Sequence, residues 1–400
     1  MVPTTTSAPA SSPLTVHVIH DNPEWIPPFA TALETRGIEV VEWLLPDTTI
    51  DLSQEPPQGL YWSRLSASSH TRTDPHVKEY GRALLAWLEA GGRTVLNGAH
   101  VYELEVSKVL QHRRLETRGF SVPRTVAALG AAGLADAVRT LDPPFITKHN
   151  QGGKGLGVRR FDSHAEFDAV AHEFAPGGDN APNDGITLAQ EYVRPAQPFI
   201  TRAEFIGGRF HYAVRVDVSA GSFELCPAEA CEIPQPGIST AVCAVPAPEG
   251  TSPTTDVTTD PEAAPAPKAA SGSEAAPGPE AAPGPEAASG SETASSPSPD
   301  APQPTGMFTR REDLTRESPL IQRLEAFLAE QRIDIAGIEF IDTADGDQVI
   351  YDINTNTNYN PAVESAETAA GRLPAADRIA EFIAHELAEM ATASGEHAAA

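Results

Sequence analysis

Basic residues are scarce in this 400-residue chain: 28 lysines and arginines stand against 55 aspartates and glutamates, a formal charge of -27. So acidic a polypeptide repels phosphate backbones and anionic lipid surfaces, which argues against nucleic-acid or membrane-surface binding. Long apolar runs are missing too. Nowhere do about 18 apolar residues occur together, the length a membrane-spanning helix needs. The opening "MVPTTTSAPASSP" has no basic segment followed by an apolar one, and a cytoplasmic protein is expected. Cysteine is rare: Cys226, Cys231 and Cys243 are odd in number and lack a CxxC or neighbouring HxxxH pattern. Neither a disulfide framework nor a structural zinc site is indicated. What the chain does have is 40% apolar residues, enough for sizeable cores in two or three domains.

Residues 15 to 98 alternate between two patterns. "TVHVIH", "GIEVVEW" and "RTVLNG" read as short strands. "EWIPPFATALETRG" and "PHVKEYGRALLAWLEAGG" place apolar side chains on helical stripes, the first through Ile26, Phe29, Ala30 and Leu33. Strand and helix in short alternation predict an α/β layer with a mainly parallel sheet. One further helix is expected over "YELEVSKVLQHRRLETRG". From about residue 145 the pattern turns to α+β with antiparallel pairs. "FITK" and "GVRRF" flank a glycine cluster, and Gly207-Gly208 splits two alternating strands as a hairpin turn.

Between 246 and 305 all periodicity is lost. "EAAPGP" is repeated and then varied to "EAASGS", and nine acids against one lysine make the segment -8 of the total charge. A disordered Pro/Ala/Gly/Glu-rich insertion is expected, interrupting one domain. The hairpins before and after it each need a partner layer and together would make one sheet. The expected organisation is therefore a disordered N-terminus (1-13), an α/β domain (14-105), a second domain in two parts (106-245 and 306-394) and the insertion between those parts.

Three stretches carry chemistry. In "PFITKHNQGGKGLGVRR", Lys148 ends a strand, and Gly152, Gly153 and Gly155 let the backbone approach a ligand closely. Backbone amides in such a loop can cradle phosphates. It is neither a Walker A loop nor a dinucleotide fingerprint, because Gly-Lys-Ser/Thr is absent and a strand follows. In "LAQEYVRP", main-chain groups at Tyr192 and Val193 can face an adenine edge. Finally "GIEFI" and "YDIN" read as a hairpin that sets Glu339 across from Asp352, with Asn354 on the same face two residues on. Three hard oxygen donors of this kind suit magnesium, which takes its remaining ligands from nucleotide phosphates and water.

In this order the pieces resemble the ATP-grasp superfamily, and within it the carboxylate-amine ligase branch of ribosomal-protein glutamate ligases and glutathione synthetase. The resemblance covers most of the chain outside the insertion. It implies a pre-ATP-grasp α/β domain followed by an α+β ATP-grasp domain of two subdomains. It also implies Lys108 and Lys148 on the nucleotide phosphates, "NQGGKGLGV" as the lid loop, and Gln190, Glu191, Tyr192 and Val193 at the adenine. Glu339, Asp352 and Asn354 would hold magnesium or manganese. Arg202 and Arg215, one on each hairpin strand, match arginines that stabilise transferring phosphoryl groups and oxyanions, with Arg215 at the reacting centre. Asn356 is expected to look toward the substrate, whereas Asn358 and Asn360, beside Pro361, read as turn formers.

Departures limit the transfer. Ile200 stands where related ligases carry a ribose-contacting acid, and "SFELCPAEACEIP" replaces a polar, glycine-rich stretch near the acceptor pocket. There Glu224, Cys226, Glu229 and Cys231 form either a different pocket or a turn. In the first domain, "HDNPEW" and "YWSRLSASSHTR" follow strands and can face the cleft from the carboxyl ends of the sheet, with Arg64 placed to meet a substrate carboxylate. The resemblance implies an ATP-dependent ligase joining a small-molecule or peptide carboxylate to an amine and releasing ADP and phosphate. A phosphotransferase on the same fold and a non-catalytic nucleotide-binding module are the alternatives. The oligomeric state stays open, a homo-oligomer included.

Overall fold

The computed structural model describes residues 14-72, 74-153, 155, 157-219 and 307-399. The N-terminal segment, the 246-305 insertion, "SFELCPAEACEIP" and all three cysteines lie outside the described residues.

The first layer is β1 (Leu14–His20), α1 (Pro27–Thr35), β2 (Ile38–Leu44), β3 (Leu60–Arg64), α2 (Val77–Ala90) and β4 (Thr94–Leu96), with all strands parallel in the order β2-β1-β3-β4. Parallel strands need cover on both faces, and the alternation along the strands divides it. Val16, Val18, Leu60 and Trp62 pack with Phe29 and Leu33 of α1. Ile19 and Tyr61 pack with Leu84, Leu85 and Leu88 of α2.

The next helical stretch is two helices rather than the one expected: α3 (Ala99–Glu105) and α4 (Lys108–Thr117). Ser107 is the reason. Its extended backbone breaks the run, and its hydroxyl accepts from Leu110 N at 3.3 Å. This cap opens a new helix with Lys108 as its first residue.

A second sheet, in the antiparallel order β5-β8-β6-β7, is built from β5 (Thr125–Leu129), β6 (Phe145–His149), β7 (Arg159–Phe161) and β8 (Ile186–Glu191). Its helices are α5 (Gly130–Val138) and α6 (His164–Val170), and Phe145, Phe161 and Phe167 centre its core.

The third sheet contains β9 (Phe199–Ile206), β10 (Arg209–Asp217), β11 (Phe308–Arg310), β12 (Ile335–Asp342) and β13 (Gln348–Asn354), in the order β11-β10-β9-β12-β13. Strands from either side of the insertion thus share one sheet, with β9 paired to β12. Gly207 and Gly208 turn β9 into β10 with φ of 59° and 65°, the left-handed pair a tight hairpin of this hand requires. Ala203, Phe205, Ile338 and Phe340 pack under α7 (Pro319–Gln331) and α4, which leaves Ile200, Arg202 and Glu204 on the opposite face. The chain closes with α8 (Pro361–Ala369) and α9 (Ala375–Ala399). Ile379, Ile383 and Leu387 of α9 join the first layer to Ile206 and Ile335 of the third sheet. No helix among the described residues is long and apolar enough to cross a membrane.

Candidate functional site

A cavity of about 230 Å³ is lined by strands of the second and third sheets and by loops of the first layer. Its polar centre is made where β6, β13 and α4 meet. Lys148, the fourth residue of β6, is buried and donates from Nζ to Tyr351 O at 3.0 Å. Lys108 at the start of α4 forms an ion pair with Asp352. Burial, and then the neighbouring Lys108 charge, pull the Lys148 pKa down to about 7. Burial works against the Asp352 carboxylate, but Lys108 and Lys148 outweigh it and hold its pKa below the usual range. Asn150 ties the two lysine-bearing elements together: its Oδ1 accepts from Val109 N at 3.1 Å, and its Nδ2 donates to Asp184 at 2.8 Å.

Glu339 lies opposite Asp352 in the β12-β13 register, as expected, and Asn354 follows on the same face. A bulge directly after Glu339 on this pair turns both Tyr351 and Asp352 toward the cavity. Glu339 Oε1 accepts from Arg202 Nη1 at 2.7 Å and from Asn354 Nδ2 at 3.3 Å. Because the Asn354 NH2 group is turned to Glu339, its carbonyl oxygen is the atom left to ligate a cation. Among the described residues no three His, Cys, Asp or Glu side chains are grouped to hold a metal. Two carboxylates and one amide oxygen nevertheless fit a hard divalent cation that takes further oxygens from phosphates and water.

Arg202 forms part of the wall of this centre. It lies cross-strand from Glu339 and is 5% exposed. Its Nε donates to Glu204 at 2.7 Å and its Nη2 to Thr357 Oγ1 at 2.6 Å. Burial alone would lower its pKa, but Glu204 and Glu339 push it up. Gly337 makes room: a Cβ there would sit 2.8 Å from the Arg202 guanidinium.

Arg215 corrects the expectation that both arginines face the reaction. Its register partner is Thr201 and not Arg202, so it projects from the other side of the sheet. There it stacks on Phe199 at 4.8 Å and meets Asp313 at 3.5 Å, largely exposed. Arg64 also stands off the cavity wall, buried behind Asn358. The remaining candidates line the cavity: Gly152, Gly153, Gly155, Gln190, Glu191, Tyr192, Val193 and Asn356. Ile146, Val158, Pro195, Ile200 and Ile341 give it an apolar end beside Tyr192 and Val193. The Glu191 carboxylate is turned to Arg124 N at 2.8 Å, fixing the segment that leads into β5.

The two loops singled out in the first layer do reach the cavity, through Trp25 and through Ser66 and Ser68. Glu105 was missed because nothing distinguishes it from the helix around it. It lies in the wall, its pKa raised by burial, and accepts from Ala67 N and Thr355 N. Glu204 was missed too, although its place two residues after Arg202 puts it on the same face. Asn360 is not a simple turn former: its Oδ1 caps α8 through the N–H groups of Ala362 and Val363.

No family model matches the chain. A segment of 153 residues, 38% of the chain, is 26% identical to "Probable alpha-L-glutamate ligase" of Parasynechococcus marenigrum (strain WH8102) and spans 32% of that relative's length. Among solved structures, D-alanyl-alanine synthetase A from Vibrio cholerae O1 biovar eltor str. N16961 matches with a TM-score of 0.56 at 11% identity, over 95% of this chain and 100% of that one. The ATP-grasp ligase PsnB, solved with its minimal precursor, Mg and ADP, matches with a TM-score of 0.52 at 13% identity, over 93% and 97%. The chain has the ATP-grasp fold.

Proposed function

We propose that this ATP-grasp chain is an ATP-dependent carboxylate-amine ligase. The observation that carries the reading is the convergence, in one cavity, of two buried lysines from separate elements with an acid, acid, amide donor set on adjacent strands. Lys148 and Lys108 would hold phosphate oxygens, and the glycines after β6 would close over them. Gln190 to Val193 and the apolar end would take the adenine. Glu339, Asp352 and Asn354 would hold magnesium, which neutralises charge on the phosphates. Arg202 would act on the reaction through Glu339, fixing that carboxylate's orientation. Domains at 14-105, 106-245 and 306-394 belong to the same proposal.

The chemistry that suits this site starts with attack of a substrate carboxylate on the γ-phosphorus. The bond to ADP breaks and an acyl phosphate forms. An amine then attacks the acyl carbon, loses a proton and expels phosphate. Positioning supplies most of the rate, and the buried cations offset the developing charge.

The test is ADP release by the whole chain with MgATP and pooled carboxylates and amines, with Lys148→Ala as control. Acid-dependent and amine-dependent release is expected, with the variant losing it. Release unchanged in Lys148→Ala would overturn the phosphate-site assignment. A stable phosphorylated product formed without amine would identify a phosphotransferase instead.

A further inference from the structure

The two ends of the nucleotide assigned above fix where its sugar must lie. Base contacts come from Gln190 to Val193 at the end of β8, and phosphate contacts from Lys148, Lys108 and the donors on β12 and β13, so the sugar crosses the floor between them. That floor is the third sheet. Arg202 and Glu339 are register partners on β9 and β12 in the phosphate row. Ile200 and Ile341 stand two residues further along the same strands, on the same face. Two residues of strand cover about 7 Å, the step from a nucleotide's α-phosphate to the hydroxyl edge of its sugar. Both isoleucines line the cavity, with Val218 and Pro195 beside them.

This row is apolar through its depth. Ile200 is 6% exposed and shares a cluster with Val216, its partner on β10, and with Phe308, the next partner on β11. Val218 and Ile341 pack against the same cluster. The polar side chains nearby are turned elsewhere. The Glu191 carboxylate accepts from Arg124 N at 2.8 Å, and the Tyr351 phenol donates to Glu339 in the phosphate row. The base end differs, because Gln190 Oε1 is buried there without a hydrogen-bond partner. A pocket rejects an analogue lacking a hydroxyl when that hydroxyl's partner is left buried and unpaired. Among the described residues, no side chain of the Ile200 row can be orphaned in this way. Val218 and Ile341 are only half-buried, so a sugar hydroxyl above them keeps water on its outer side and is not rejected either.

We infer that this pocket does not read the 2′-hydroxyl, so that 2′-deoxyATP serves as a phosphoryl donor alongside ATP, with Ile200 as the residue that sets this breadth. The inference rests on the ligase reading and widens its nucleotide substrate. The chemistry is unchanged. The substrate carboxylate attacks the γ-phosphorus, the bond from that phosphorus to the β-phosphate oxygen breaks, and 2′-deoxyADP leaves in place of ADP. The reacting atoms sit in the phosphate row, one step away from the sugar.

The test compares MgADP with Mg-2′-deoxyADP by calorimetry on the whole chain. The two affinities should agree within about fivefold, the worth of one hydrogen bond. Ile200→Asn sets a hydrogen-bonding side chain under the sugar and should favour MgADP over its deoxy form by more than about fivefold. Ile200→Thr keeps a β-branched strand residue and should shift the ratio in the same direction where asparagine disturbs folding. Lys148→Ala should weaken both nucleotides by one common factor, since that lysine meets only phosphate. The wild-type ratio alone decides the breadth, whatever the stability of the variants. Wild-type discrimination above about fivefold would overturn the inference and leave the ligase reading standing. Ile200 variants that bind MgADP yet still treat the two nucleotides alike would remove Ile200 from its role. Failure of the wild-type chain to bind either nucleotide would overturn the ligase reading and this inference with it.

Discussion

Arg202→Met tests whether the centre depends on one buried cation. Three hydrogen bonds disappear, to Glu204, Glu339 and Thr357, while methionine fills most of the volume over Gly337. The loss is electrostatic, because two buried carboxylates keep their desolvation and lose their counterion. Removing one partner of a buried ion pair costs about 3 to 5 kcal/mol. The cost should also depend on pH. Burial raises the Glu204 pKa, and Arg202 opposes that rise; without Arg202 it goes further up. A carboxyl whose folded pKa lies above its unfolded one binds more protons when folded, so its contribution falls as pH rises through that window. Urea denaturation at pH 5 and pH 8 should therefore show a larger deficit at pH 8, and adding Glu204→Gln should recover part of it. A deficit below about 1 kcal/mol, equal at both pH values, would refute the view that Arg202 is the counterion holding Glu204 and Glu339.

Asp334 is pushed up to about 6 by burial, with Glu386 adding to the rise, while it accepts from Asn97 N at 2.9 Å. Its contribution to stability is present below about pH 4 and lost as pH rises through 6. Asp334→Asn should abolish that decline and gain at most about 3 kcal/mol at pH 7, read from denaturation curves across pH 4 to 8. Gly157 has φ +70°, and a Cβ there would fall 2.1 Å from His149 Cδ2. Gly157→Ala should cost at least about 1 kcal/mol from backbone conformation alone and weaken MgADP binding in calorimetry; unchanged affinity would separate this loop from the nucleotide.

The parallel layer, the Gly207-Gly208 hairpin and the Glu339-Asp352 register were legible because each follows from a short local pattern: period two, period 3.6, or paired glycines. The break at Ser107 was hidden by a helical pattern that runs through it, although a serine is a preferred N-cap residue. The arginines failed for a different reason. Which face of a sheet Arg215 takes depends on its pairing with Thr201 rather than Arg202, and register is a property of two strands, not of one. Likewise nothing local places Glu105 or Arg64 near Asn358, 294 positions away from Arg64; only the stacking of the layers does.

The pairing of β9 with β12 also sets a schedule for the living chain. Arg202 and Glu339 are separated by 137 positions, so at ribosomal speed the first waits on the order of 10 s for the second. During that time Arg202 and Glu204 are already made, on a β9-β10 hairpin that lacks its neighbouring strand. An open strand edge of this kind is where a nascent chain pairs wrongly. The two glycines that close the hairpin early, and the acidic stretch synthesised next, are the features that would keep that edge soluble until its partner emerges.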